Sequence, residues 1–192
     1  MNFGLFIAES TGLKAFEILL KNKIEIVYVC SEDKYYKHKI SSLCKKNSIP
    51  FIFNPNKNLN KILKYFLNID YLLSVFSRFI IPNQILRLIK FNCLNVHPGL
   101  LPYYPGTNSI SGTIYNNEKI TGITIHQVKK KIDSGDICLV QKIKIKKNEL
   151  AISLWLRIIK NTPRLIEKLI LKLKKNKLNF YKNDLTKKKI FS

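Results

Sequence analysis

The residues best suited to chemistry lie midway along the chain, where Asn95 and His97 begin the proline- and glycine-rich stretch NVHPGLLPYYPGT. Side chains two residues apart on an extended segment point to the same side. Pro98 favours such an extended conformation for His97. An amide beside an imidazole can bind the oxyanion that forms when a carbonyl carbon is attacked. The pair therefore predicts an oxyanion-binding site, and a packed structural histidine is the alternative.

The base that this pair lacks is best supplied by Asp133 in the stretch KIDSGDI, which is a loop of small residues between two predicted strands. A turn aspartate without a catalytic role is the alternative. Asp136 is expected to start the next strand and to cap the turn. His126, in the predicted strand TGITIH, suits a packed or supporting role at least as well as direct catalysis.

Other catalytic patterns are absent from the sequence. It has no dinucleotide fingerprint, no phosphate-binding lysine loop and no nucleophile elbow. Gly99 stands where a serine after His-Pro would have been a nucleophile, so a mechanism without a covalent intermediate is favoured. His38 lies in a lysine-rich segment and is expected to be solvated. Four cysteines are scattered without metal-site spacing, so we expect reduced thiols and no metal.

The first half of the chain alternates between apolar runs of strand length and segments with helical spacing. Strands are expected at 2–8, 23–30, 49–53, 70–76 and 92–96, and helices at 13–21, 33–46, 58–67 and 82–89. This alternation predicts an α/β fold, a Rossmann-like open, mostly parallel sheet with helices on both faces. Ligands of such sheets bind at the carboxyl ends of the strands, which is where Asn95 and His97 lie.

The pattern changes after residue 107. A helix at 108–115, antiparallel strands at 121–128 and 136–146, and a long C-terminal helix at 149–174 with Pro163 as a candidate kink are expected. The remaining residues are basic and aperiodic. The predicted organisation is one catalytic domain at 1–174 and a loosely held basic tail at 175–192.

The net charge of +22 first suggests a polyanionic partner. Only four of the 34 basic residues are arginine, however, and lysine, asparagine and isoleucine are abundant together. Codons rich in A and T would produce this composition for any function, so codon bias is the favoured explanation. No apolar run reaches the roughly 18 residues of a membrane-spanning helix. No secretory signal is recognisable at the start, so a cytoplasmic protein is expected.

Taken in order, the motifs NVHPGLLPYYPGT, TGITIH and KIDSGDI resemble the folate-dependent formyltransferase family. The shared pattern is Asn-x-His, a Leu-Leu-Pro loop with glycine, and Asp-x-Gly, and the similarity covers roughly residues 1–160. The family includes glycinamide ribonucleotide, methionyl-tRNA and nucleotide-sugar formyltransferases. The resemblance implies transfer of a formyl group from 10-formyltetrahydrofolate, the co-substrate, to a primary amine, with no metal.

By this resemblance Asn95, His97 and Asp133 are the catalytic residues. Asn95 and a protonated His97 would stabilise the tetrahedral oxyanion. Asp133 would hold His97 or an ordered water and would help to move the amine proton to the leaving folate nitrogen. The folate ring is expected between the segments 76–82 and 129–133. The expected folate contacts are Phe76, Arg78, Phe79, Ile80, Ile81, Lys129, Lys130, Lys131 and Ile132, and the expected supporting or substrate-loop residues are Gly99, Leu101, Pro102, Gly106 and His126.

The sequence also departs from the family pattern. Gly99 replaces a serine that is frequent there, and the turn AESTGLKAF lacks the glycine-rich phosphate loop of glycinamide ribonucleotide formyltransferases. The chain is also too short for the tRNA-binding domain of methionyl-tRNA formyltransferases. A short sugar N-formyltransferase acting on a nucleotide-linked amino sugar is therefore favoured.

Two other interpretations of the chain are kept. One is a glycinamide ribonucleotide or methionyl-tRNA formyltransferase-like enzyme, and the other is a non-catalytic basic binding protein on the same fold. A small-molecule amine is the expected partner, and no membrane partner is expected. Nucleic acid is less favoured, and the oligomeric state, a dimer included, is left open.

Overall fold

The structure, a computed structural model, describes residues 1–66, 69–89 and 91–189. The chain divides into two compact units, Met1–Asn95 and Val96–Ser192. Each unit has an apolar core of its own. The first is built around buried side chains such as Phe3 and Leu5, and the second around others such as Ile125, Leu154 and Ile158.

The first unit alternates strands and helices, as the sequence predicts. Its elements are β1 Asn2–Ile7, α1 Glu9–Lys21, β2 Glu25–Ser31, α2 Lys37–Lys46, β3 Phe51–Phe53, α3 Leu59–Phe66, β4 Tyr71–Val75, α4 Asn83–Leu86 and the start of β5 Asn92–His97. The strand order is β3-β2-β1-β4, with β5 beside β4. The pairs β1–β2, β1–β4 and β2–β3 are parallel, and Leu5 of β1 aligns with Leu73 of β4.

The strand order of this unit reverses between β1 and β4. The chain moves outward from β1 to β2 and β3 and then returns to β4 on the other side of β1. The residues just after these two strands, Glu9 and Phe76, have positive φ angles of 60° and 54°. Side chains other than glycine rarely adopt this region, and such strain often accompanies binding sites. The switch point of an α/β sheet is also where ligands usually bind.

The second unit begins inside β5. It continues with α5 Ser109–Tyr115, β6 Ile120–Gln127, β7 Ile137–Lys144 and α6 Ala151–Lys174. Strands β6 and β7 form an antiparallel pair in which Thr124 aligns with Val140. Helix α6 packs on both strands and on α5. It runs as one element with Pro163 inside it.

The predicted fold class is confirmed, namely a mostly parallel sheet with helices, an added antiparallel pair and a long C-terminal helix. Several helix boundaries differ from the prediction; α2, for example, begins at Lys37 and not at residue 33. Helix α4 covers only four residues of the expected 82–89. Helix α1 begins at Glu9, although the sequence predicted a break up to Gly12. Gly12 is helical, and a Cβ there would lie 2.8 Å from Cβ of Ile7, so this glycine permits a close approach instead of ending the element. Residue 67, the predicted end of the third helix, lies outside the described residues.

The segment after α6 is not the loosely held tail that the sequence predicted. Tyr181 and Ile137 exchange two backbone hydrogen bonds of 2.9 Å, and the amide of Lys189 donates to the Tyr103 carbonyl at 2.8 Å. Periodicity could not reveal these contacts because they involve backbone groups. The last three residues of the predicted tail, 190–192, lie outside the described residues. The division into a domain at 1–174 and a tail at 175–192 stays a prediction.

In the described part of the chain, no helix is both long and apolar enough to cross a membrane.

Candidate active site

His97 ends β5 and is buried, with 3% of its surface exposed. Its Nε2 atom lies 2.7 Å from the carbonyl oxygen of Tyr104, which belongs to the loop that follows the strand. The loop thus folds back over the histidine and fixes the plane of its ring. The loop at 98–107 therefore covers the imidazole.

Asp133 occupies the loop between β6 and β7 and has a positive φ of 48°. Its Oδ2 atom accepts a hydrogen bond from the Gly106 amide at 2.7 Å and lies 3.3 Å from Nδ1 of His97. Its Oδ1 atom lies 3.3 Å from Nε2 of His126. The structure therefore brings together four predicted site residues, with one carboxylate between two imidazoles. Asp136, the other acidic residue of this loop, pairs instead with Lys129 at 2.9 Å.

The acceptors around the two imidazoles determine where their hydrogens lie. Carbonyl oxygens only accept hydrogen bonds, so Nε2 of His97 carries a hydrogen toward Tyr104. Nδ1 of His126 likewise carries one toward the Gln127 oxygen, 2.7 Å away. Each ring therefore turns its other nitrogen toward Asp133, and that nitrogen bears a hydrogen only when the ring is charged. A proton entering this cluster would lie between the carboxylate and one of the rings, as an acid-base site requires.

Burial and charge act in opposite directions on this cluster. Burial lowers the pKa of His97 and His126 lowers it further, while Asp133 and the Tyr104 carbonyl oppose the shift. Burial alone would raise the pKa of Asp133, but the neighbouring His126 and His97 side chains and the Gly106 amide together bring it well below its usual value. At neutral pH we therefore assign an ionised Asp133 and a neutral His97. The expected protonated His97 does not describe this resting state, because the ring is buried.

These pKa shifts predict that the protein loses stability in acid. A lowered His97 pKa means that the unfolded chain takes up the proton first, so the unfolding free energy should start to fall as pH drops below about 6.5. The lowered pKa of Asp133 stabilises the fold above the unfolded value of about 3.9, and this contribution should be lost at lower pH. Urea unfolding followed by circular dichroism across this range measures both steps. An unfolding free energy that is constant from about pH 7.5 to 5.5 would contradict a buried, neutral His97.

Side chains that the sequence did not single out hold the loop in place. The Thr124 hydroxyl donates to the Gly99 carbonyl at 2.7 Å, and the Leu101 amide donates to the same hydroxyl at 3.2 Å. The Ser109 hydroxyl donates to the Pro98 carbonyl at 2.9 Å. Alternation along β6 places Thr124 and His126 on the same side of the strand, and this spacing could have indicated from the sequence that Thr124 belongs to the site.

Gly99 is explained by the crowding around it. A Cβ at this position would lie 2.6 Å from Nε2 of His97 and 2.8 Å from Cβ of Ser109. Real Cβ atoms do not approach so closely, so any side chain at 99 must displace the imidazole or helix α5. In this chain, the position that is often serine in the resembled family is sterically closed in the resting state.

We therefore expect Gly99→Ala to displace His97, to lower turnover at least tenfold and to cost about 1–3 kcal/mol of unfolding free energy. Turnover and urea unfolding of the purified variant test this. Normal turnover in the Gly99 variant would show that the loop relaxes without moving the histidine.

Asn95 is the last residue of the first unit. It lies on β5 two positions before His97 and is half-buried. Residues 92–97 form a strand, and the expectation that the side chains of Asn95 and His97 leave β5 on the same side stays a prediction.

The predicted folate contacts fall in both units and differ in exposure. In the first unit, Phe79 is buried and stacks on Phe6 with ring centroids 4.7 Å apart, Ile81 is buried, and Ile80 is 72% exposed. The Arg78 amide donates to the Glu32 carboxylate at 2.5 Å, which fixes the backbone after Phe76. In the second unit Lys129, Lys130, Lys131 and Ile132 are exposed. Their role toward folate stays a prediction.

The remaining candidates carry no chemistry that the structure supports. His38 is exposed, as expected. All four cysteines are buried, and burial raises the pKa of Cys44 and of Cys138 to about 12, which opposes a thiolate nucleophile. Within the described ranges, no three His, Cys, Asp or Glu residues are grouped so that they could hold a metal ion.

Comparison with known proteins places the chain among formyltransferases. A family model described as formyl transferase matches residues 53–170. The GDP-perosamine N-formyltransferase of Brucella melitensis biotype 1 is 38% identical over 104 residues, which make up 54% of this chain and 40% of that protein. The methionyl-tRNA formyltransferase of Thermotoga maritima is 26% identical over 178 residues, or 88% of this chain and 57% of that protein. The chain thus spans about half the length of these curated relatives.

The fold has close counterparts among solved structures. The structure of WlaRD, described as a sugar 3N-formyl transferase in the presence of dTdp and 5-N-Formyl-THF, superposes with a TM-score of 0.79. The superposition covers all of this chain and 69% of that one, at 20% sequence identity. At that identity the likeness supports the fold alone.

Proposed function

Because the chain belongs to the formyl transferase family, we propose that it moves a formyl group from 10-formyltetrahydrofolate to a primary amine of a small acceptor. The observation that carries this proposal is the buried carboxylate of Asp133 between the imidazoles of His97 and His126. Such a cluster can hold and release a proton without a metal or a covalent intermediate. The amine acceptor must lose one proton and the folate leaving group must gain one, and this cluster can carry out both transfers as a general base and a general acid.

The reaction requires one new bond and one broken bond. The amine nitrogen attacks the formyl carbon, a C–N bond forms, and the carbonyl electron pair moves to the oxygen. Collapse of this tetrahedral species expels the folate nitrogen, which must then accept a proton, while the amine must lose one. A neutral His97 beside an ionised Asp133 can take the first proton and return it to the leaving nitrogen.

Asn95 and His97 are the proposed donors to the oxyanion. The Nε2 hydrogen of His97 is occupied by the Tyr104 carbonyl in the resting site. A bound formyl oxygen would therefore have to share or displace that contact, whereas the amide of Asn95 would donate from the same side of β5. The lowered pKa of the buried His97 imidazole suits a donor to the oxyanion, because the charged ring gives up its proton readily once the oxyanion has collapsed.

A nucleotide-linked amino sugar is the acceptor class that we favour. Its support is the 38% identity to a GDP-perosamine N-formyltransferase over 104 residues. The cluster itself does not discriminate between acceptors, because every candidate acceptor presents a primary amine. Acceptor choice must therefore be tested directly.

The decisive experiment follows tetrahydrofolate release from 10-formyltetrahydrofolate with a panel of amines. The panel contains nucleotide-linked amino sugars, glycinamide ribonucleotide and methionyl-tRNA, each with a no-acceptor blank. Acceptor-dependent release with an amino sugar supports the proposal, and release only with one of the other two identifies the alternative enzyme. No release with any amine, together with polyanion binding that is unchanged in Asp133→Asn, would instead indicate a binding protein.

A further inference from the structure

The segment 181–189, here called the strap, crosses the second unit and is tied to it at three places. Tyr181 forms a backbone bridge to Ile137 at the start of β7. The side-chain amide of Asn183 donates to the carbonyl oxygen of Asp133 at 2.9 Å. At its far end, the Lys189 amide donates to the Tyr103 carbonyl. Two of the three ties therefore reach the segments that hold the carboxylate–imidazole cluster.

Asn183 is unusual among the residues of the strap because it is buried, with 5% of its surface exposed. Its Nδ2 donates to Asp133, while its Oδ1 is buried and has no partner among the described residues. Burying half of an amide without a partner is unfavourable for stability. The geometry therefore indicates that the donor half of this side chain has a role that offsets the cost.

The tie to Asp133 falls on the peptide that sets the direction of the catalytic carboxylate. Asp133 has a positive φ, a conformation that needs support from its surroundings. The neighbouring bonds, from the Ser134 amide to Lys131 and from the Gln127 amide to Asp136, hold the two sides of the loop. The Asp133 carbonyl itself accepts the hydrogen bond from Asn183 of the strap. Rotation of that peptide would swing the carboxylate away from the imidazoles.

The other end of the strap lies beside the Tyr104 carbonyl, the backbone group to which His97 is bonded. Lys189 holds the carbonyl of Tyr103, and the adjacent carbonyl of Tyr104 accepts the hydrogen bond from His97. Lys189 also pairs with Glu118, whose carboxylate accepts from the Tyr104 hydroxyl at 2.6 Å. One segment thus supports both partners of His97.

We infer that Asn183 is a positioning residue for formyl transfer, and that the strap aligns Asp133 with His97 and His126 by holding the Asp133 carbonyl. The expected change in kcat rests on the proposed function. The alignment of Asp133 with the two imidazoles can be measured without any assay of formyl transfer. Asn183 does not touch the reacting atoms; it acts through the carboxylate.

The test compares Asn183→Asp and Asn183→Ala with Asn179→Ala, which changes an exposed asparagine two residues before the strap. Aspartate keeps the size of the side chain but removes the donor to the Asp133 carbonyl. We expect both Asn183 variants to lower kcat by about 10- to 100-fold, with KM for 10-formyltetrahydrofolate changed less than about twofold. The Asn179 variant should match the wild type. Effects of this size on KM alone, or a kcat within about twofold of wild type, would overturn the inference.

A second readout is independent of activity. In protein with 15N-labelled histidine, the imidazole signals of His97 and His126 should move in Asn183→Asp, while the signal of the exposed His38 stays unchanged. His38→Gln identifies the third signal. If the wild type transfers no formyl group, the proposed function fails, and the imidazole signals alone test whether the strap aligns Asp133. Unchanged signals of His97 and His126 would refute that alignment. Asn183→Ser, whose hydroxyl is too short to reach the Asp133 carbonyl, takes the place of any variant that does not fold.

Discussion

Replacing Asp133 with asparagine should lower formyl transfer by about 100- to 10,000-fold. The reason is that this carboxylate lies 3.3 Å from a nitrogen of each imidazole and accepts the Gly106 amide. Asparagine keeps the shape of the side chain but carries no charge, so the cluster can no longer stabilise a proton taken from the amine. Substrate binding does not use the charge directly, so the loss should appear in kcat. Steady-state assays with the best acceptor measure it.

Asp136→Asn is the matched control for this experiment. The change is chemically identical and falls three residues along the same loop, but the Asp136 carboxylate is half-exposed and pairs with Lys129. Such surface ion pairs contribute about 0–1 kcal/mol. The control should therefore retain turnover within about twofold of wild type. Equal losses in the two variants would attribute the effect to the loop as a whole and would remove Asp133 from the mechanism.

The sequence predicts the framework of this site well because the framework depends on periodicity. Apolar runs alternating with helical segments predicted the parallel strands, and β5 ends at His97, within one residue of the expected end. The loop between two later strands was likewise expected around Asp133. These features depend on side-chain patterns along single elements, which a sequence displays directly.

What the sequence could not predict depends on backbone groups brought together by loops. The acceptor of the His97 hydrogen bond is the carbonyl of Tyr104, and the partner of Asn183 is the carbonyl of Asp133. Every residue has a carbonyl, so no residue type marks these positions. The strap was expected to be loose because lysines dominate it, yet its ties use mainly backbone atoms and one asparagine.

The protonation state of His97 also could not be predicted from the sequence. The family resemblance implied a protonated ring that stabilises the oxyanion. The structure adds burial, which lowers the pKa of His97 and outweighs the carboxylate beside it. Burial depends on how the loop 98–107 folds over the ring, and composition does not specify that path. The consequence is a histidine better suited to moving a proton than to carrying a permanent charge.

Replacing His97 is accordingly expected to be as severe as replacing Asp133. His97→Ala should lower kcat by about 100- to 10,000-fold, because both the oxyanion donor and the proton carrier are removed. It also leaves the Tyr104 carbonyl and the Asp133 carboxylate buried without the imidazole, so unfolding free energy should fall as well. Kinetic assays must therefore be paired with urea unfolding to separate loss of chemistry from loss of folded protein.

His97→Gln separates the two roles. Its amide can still donate a hydrogen bond in place of Nε2, so most of the stability lost in the alanine variant should return. An amide cannot take up a proton near neutral pH, however, so kcat should stay low if proton transfer is the main role. His38→Gln, the same change at an exposed histidine, should leave both quantities unaltered. If His97→Gln recovered turnover together with stability, His97 would be a hydrogen-bond donor alone, and the proton would have to travel through His126 and Asp133.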